Sequence, residues 1–132
     1  MRRQRAQALA EVALCLPIVL ALALGAVAVA RVADARGGLD AATAAAVQAA
    51  ARAPDAAAAA NSAQSVFSAS VAVYELTAPS LVLDLGAFAR GAPITASATA
   101  RVAIGFAPVP GLPATVTLSA RATALVERWR SR

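Results

Sequence analysis

The chain has no histidine and no lysine, a single cysteine, and few aromatics: one tryptophan, one tyrosine and three phenylalanines. Without histidine there is no imidazole to activate a serine or cysteine nucleophile, and the commonest metal ligand is missing. Cys15 has no second cysteine to pair with and no neighbouring ligand type to share a metal. It reads as a small apolar side chain within an apolar run. No G-x-S-x-G elbow, no pair of carboxylates at helical spacing and no phosphate-cradling glycine loop is present. The many serines and threonines alternate with apolar residues, as on the wet face of strands. These absences argue against an enzyme, and no cofactor, metal or small-molecule substrate is expected.

What the chain has in excess is alanine, with 41 of 132 residues, and every basic residue is arginine. That pattern fits the codon bias of a GC-rich genome. Alanine favours helix but buries little area, so the larger side chains are a better guide to core size than the 60% hydrophobic content. One modest domain is the most that 132 residues and this composition support. The net charge of +5 does not describe a basic face. Arg2, Arg3 and Arg5 open the chain and Arg128, Arg130 and Arg132 close it, while the six arginines between face six acids. Nucleic acid is therefore not an expected partner.

From Val12 to Ala30 nineteen consecutive residues carry no charge. As helix they span about 28 Å, close to the roughly 30 Å hydrocarbon core of a bilayer. Ten of them are leucine, valine or isoleucine, each favouring insertion by roughly 0.3 to 0.6 kcal/mol near the helix centre. Insertion is favourable by a modest margin. Arg2, Arg3 and Arg5 crowd one flank, whereas Arg31 and Arg36 on the other are offset by Asp34 and Asp40. The positive-inside rule then keeps the N-terminus cytoplasmic and exports the chain beyond Arg31 in a single pass.

Two residues depart from a generic anchor. Glu11 places an acid at the cytoplasmic edge of the run, where it is either solvated at headgroup depth, paired with Arg3 or Arg5, or held for a cation on another subunit. Pro17 removes a backbone donor inside the run and marks a helix kink, which membrane helices tolerate better than soluble ones. Taken together, Gln7-Ala8-Leu9-Ala10-Glu11-Val12-Ala13-Leu14-Cys15-Leu16-Pro17 behind an arginine-rich leader resembles the N-terminus of TadE-like minor pseudopilins of tight-adherence (Flp) pili. The family pattern is G-Q-A-L-V-E-F-A-L-V-L-P. The chain matches it without gaps at Gln7, Ala8, Leu9, Glu11, Ala13, Leu14, Leu16 and Pro17, and departs at Ala6, Ala10, Val12 and Cys15.

The resemblance implies a minor structural or assembly component of a type IV pilus or related secretion system, with other pilins and pseudopilins as partners. It also implies cleavage by a prepilin peptidase between Ala6, where the family has glycine, and Gln7. The new α-amine at Gln7 is cationic near neutral pH, and Glu11, one helical turn on, supplies the opposite charge near a low-dielectric layer. In such assemblies the two meet between adjacent subunits, which gives Glu11 a role in subunit registration. A second route remains open. Ala28-Val29-Ala30 reads as an A-x-A signal-peptidase site that would release a secreted protein starting at Arg31, and the alternative to the pseudopilin is thus an unrelated single-pass or Sec-secreted small β-rich envelope protein.

Beyond Arg31 a helical stripe runs through Leu39, Ala42, Ala46, Val47 and Ala50. Gly37-Gly38 either breaks or bends this helix, and Pro54 marks its boundary. The alanine face of Ala42, Ala45, Ala46 and Ala49 is a candidate for close contact between subunits, or simply a solvated face. A short second helix is expected from about Asp55 to Gln64. After Ser65 the period becomes alternating, at Ala69, Val71 and Val73 and again at Leu81, Leu83 and Leu85. The clearest strands place Ala96, Ala98, Ala100, Val102, Ile104 and Phe106 on one face, and likewise Val116, Leu118, Ala120, Ala122 and Ala124. Between them, the three prolines and Gly111 of residues 107–113 make a rigid hairpin loop.

The expected architecture is α+β: a long N-terminal transmembrane helix, a short helix, and an antiparallel sheet of three to four strands packed on the emerging helix. The expected organisation is a basic leader at 1–6, the transmembrane helix and its exported extension at 7–53, and a small exported α+β domain at 54–132.

Overall fold

Alanine and leucine dominate the first fifty residues, and in the computed structural model they form one unbroken helix, α1, over Arg2–Ala51. The structure describes residues 2–105 and 113–127, and for residues 2–6 the backbone alone. At 1.5 Å per residue α1 is about 75 Å long. It runs straight through Gly37-Gly38, so that pair breaks nothing. Two glycines cost a helix roughly 1 kcal/mol each relative to alanine, and tertiary packing offsets this. The helix stops at Ala51, two residues before the position that Pro54 bars from the helical region.

A second helix, α2, covers Ala56–Val71. Asp55 caps it: a carboxylate oxygen accepts a hydrogen bond from the Ala58 amide at 2.8 Å. Its buried residues, Ala59, Ala63, Phe67 and Val71, fall four apart on one face. This corrects two sequence expectations. The helix does not end near Gln64, and the strand expected at Ala69–Tyr74 is instead the last turn of α2 and the turn after it. The alternation of small residues there is compatible with either period, and the four-residue apolar stripe prevails. Ser65 and Ser68 turn their hydroxyls back onto the carbonyls of Ser62 and Ser65, both at 3.0 Å.

Beyond α2 lie three antiparallel strands, β1 (Leu76–Asp84), β2 (Pro93–Ala103) and β3 (Thr115–Leu125), ordered β1-β2-β3 with β2 central. Alternation fixes which face is inward: Ile94, Ala96, Ala98, Ala100 and Val102 of β2 and Leu118 and Ala120 of β3 are buried. Phe106 and the proline-rich loop expected at 107–113 lie, apart from Pro113, outside the described residues. The edge strand β1 carries a register irregularity between Thr77 and Ser80, where Ala78 adopts φ 50° ahead of Pro79. An edge blunted in this way pairs poorly with a stray strand.

The core lies between the C-terminal part of α1, α2 and the inner face of the sheet. Its largest fully buried side chains are Phe67, Leu39, Ile94 and Val47. Alanine fills most of the remainder, which brings the layers close together. Ala42 and Ala46 are 1% and 0% exposed and Ala45 and Ala49 half-buried, so two of the four alanines considered for contact between subunits are fully occupied within the chain. Thr43, also fully buried, satisfies its hydroxyl on the Leu39 carbonyl at 2.7 Å.

The globular part has two ends along α1. At the distal end the Glu127 amide donates to the Ala51 carbonyl at 3.2 Å and the Val126 amide to the Ala92 carbonyl at 3.0 Å. At the proximal end, level with Arg31 to Ala35, are the turn between α2 and β1 and the ends of β2 and β3.

Candidate functional site

Among the described residues, the half of α1 that precedes the globular part is almost wholly unburied. From Gln7 to Ala30 every residue except Ala28 is exposed, and the large apolar side chains from Leu9 to Val29 are 45% to 72% exposed. An apolar rod of this length is not stable in water; something outside the chain must cover it. It is long and apolar enough to cross a membrane. Charged residues bracket the bare stretch at Glu11 and Arg31, twenty residues or about 30 Å apart along the axis.

Glu11 is exposed on this rod, and the Gln7 side-chain amide reaches its carboxylate at 3.5 Å, across one helical turn. The structure therefore brings together two of the residues singled out in the sequence. Ala6 shares their helix, but its side chain lies outside the described residues. Pro17 sits inside α1 without interrupting it. Its ring nitrogen cannot donate, which leaves the Ala13 carbonyl without its helical partner. Cys15 is exposed and unpaired on the same rod.

The globular part offers less chemistry. Among the described residues no group of three or more histidine, cysteine or acidic side chains gathers as a metal site. The outer face of the sheet is a lattice of hydroxyls: Ser80 and Thr99 lie 2.7 Å apart, Thr95 and Thr123 3.3 Å apart, and the Arg121 guanidinium donates to Ser97 at 3.3 Å. A distal cleft of about 220 Å³ is rimmed by Phe88, Arg90 and an exposed ion pair, Arg52 to Glu127 at 3.2 Å. An exposed pair of this kind contributes little to stability.

Two proximal contacts were not legible in the sequence. Tyr74, in the turn after α2, lays its ring over Gly38: a Cβ on that glycine would come within 2.6–2.7 Å of three ring atoms. Arg31 reaches the end of β2, where a Cβ on Gly105 would lie 2.8 Å from its guanidinium. Each contact joins residues far apart in the chain, and neither has a local motif. The sequence offered only a lone tyrosine, read there as part of a strand, and a pair of glycines within a helical stretch. No protein-family model, curated protein or solved structure matches the chain, so the resemblance to TadE-like pseudopilins stands on residues 7–17 alone.

Proposed function

We propose that the protein is a membrane-anchored minor pseudopilin, a structural or assembly component of a tight-adherence pilus or a related secretion apparatus. The observation that carries this reading is the bare N-terminal half of α1, apolar over one bilayer thickness, with Glu11 at its rim within the pattern of residues 7–17. Lipid covers the rod before assembly, and helices of neighbouring subunits cover it afterwards. The arginine-rich leader keeps the N-terminus in the cytoplasm and places the globular part outside. A prepilin peptidase cuts between Ala6 and Gln7, and the freed amine of one subunit meets Glu11 of another. Burying either charge alone in the low-dielectric layer is costly, so subunits associate where the two coincide.

A second reading has one observation in its favour. The buried core begins at Ala35, with Val32 half-buried before it, so a chain starting at Arg31 would keep its whole core. A secreted form released at Ala30 is physically sound. The intact mass of the protein from its native envelope separates the readings: a start at Gln7 supports the pseudopilin, Arg31 the secreted protein and Met1 a plain anchor. Glu11→Ala is then expected to leave the protein in the membrane fraction while abolishing its co-purification with partner pilins. Undiminished co-purification would defeat the role given to Glu11.

A further inference from the structure

The proximal end of the globular part lies at the level where α1 leaves its apolar run. The run ends at Ala30, and the headgroup layer beyond a hydrocarbon core is about 5 to 8 Å deep, or about three to five residues of helix. Residues Arg31 to Ala35 occupy that depth. At the same height, sharing a cleft of about 170 Å³ with Arg31 and Asp34, stand Val73, Tyr74 and Val102. The β2–β3 hairpin closes there as well: the Ile104 amide donates to the Ala114 carbonyl at 3.1 Å, and Gly105 lies against the Arg31 guanidinium.

The chemistry of this end is that of an interface. Val73 is 81% exposed, the highest value for any large apolar side chain among the described residues. Tyr74 presents a ring with a polar tip, a residue type enriched at the boundary between lipid and water. The described residues at this end of β2 and β3, 102–105 and 113–120, carry no charge. The charges at this level are of both signs, Arg31 against Asp34 and Glu75.

We propose that this proximal end is seated in the headgroup layer of the bilayer that α1 crosses, with Val73 directed to the acyl boundary, so that the protein contacts lipid through its globular part as well as its helix. The inference rests on the membrane-anchored reading, and its surface is continuous with the apolar run of α1. Because charges of both signs are present, seating is driven by apolar contact and does not depend on anionic lipid.

The test uses the full chain in a Cys15→Ser background, with single cysteines introduced as Val29→Cys, Val73→Cys or Leu125→Cys. Leu125 is a comparably bare apolar residue, 63% exposed, at the distal end. Each variant carries an environment-sensitive fluorophore and is reconstituted into phosphatidylcholine vesicles with or without phosphatidylglycerol. Quenching by a lipid bearing a shallow nitroxide is compared with quenching by aqueous iodide. The expected result is strong lipid quenching at 29, lipid quenching at 73 several-fold above that at 125, and no dependence on phosphatidylglycerol. If position 73 behaves like 125 while 29 is quenched by lipid, the seating is overturned and the anchor stands. If 29 is reached by iodide and not by lipid, the anchor itself fails. A probe at 73 shielded from both quenchers, more so at high protein-to-lipid ratio, overturns the proposal in favour of a second copy covering this end.

Discussion

Gly37 and Gly38 are adjacent in sequence and opposite in consequence. Nothing lies within 4 Å of a Cβ built on Gly37, whereas one on Gly38 would strike the face of the Tyr74 ring. Gly37→Ala is therefore expected to stabilise the fold by about 0.5–1 kcal/mol through helix propensity alone. Gly38→Ala should gain nothing or lose stability, because the ring has to leave its seat. Urea unfolding in detergent, followed by far-UV circular dichroism, measures both, and in a Tyr74→Ala background the two substitutions should converge. A simpler case is Asp55, whose carboxylate accepts its one hydrogen bond among the described residues from the Ala58 amide. Asp55→Ala should cost about 1 kcal/mol in the same assay. The cap was not singled out in the sequence, although Asp55 comes directly after Pro54 at the head of an alanine run. The role of Gly38 was not legible at all, because its partner lies 36 positions away.

At the scale of elements, legibility tracked the length of the periodic signal. β2 and β3 alternate over eleven residues each, and the faces read from sequence are the faces observed. The hydrophobic α1 was equally plain. The end of α2 was not, since a few small residues after Gln64 fit a strand as well as a helix. The deciding contact is Phe67, which between Ala63 and Val71 is the largest side chain the helix places in the core. Phe67→Ala is expected to cost about 3–5 kcal/mol. In a core this rich in alanine that is a large share of the total, so the urea midpoint should collapse toward zero while the membrane portion of α1 keeps its helical signal.

For the whole molecule, the α+β architecture and the membrane-length helix were legible, but the way the chain divides its contacts was not. Among the described residues, every buried side chain of α1 lies at Ala35 or beyond, and the apolar stretch before it is bare. Core and anchor are thus energetically separable. Leu20→Arg, which adds roughly 2.5–3.5 kcal/mol to an insertion that is only modestly favourable, should shift the protein out of the floated membrane fraction. Its globular part should remain folded, as judged by unchanged resistance to limited proteolysis. Simultaneous loss of both properties would show that the two halves are not independent.

The continuity of α1 carries a mechanical consequence. With no break in the helix between Glu11 and Leu39, the carboxylate and the sheet hold a set angular phase along it, 28 residues or about 80° short of whole turns, with Pro17 the one residue in between that lacks a backbone donor. The helix acts as a keyed shaft: whichever way a neighbour fixes the azimuth of Glu11 also dictates which side of the sheet looks outward. Adding one residue to the apolar run would swing the polar lattice of the strands by about 100° relative to that carboxylate, altering what the molecule presents while leaving both of its halves intact.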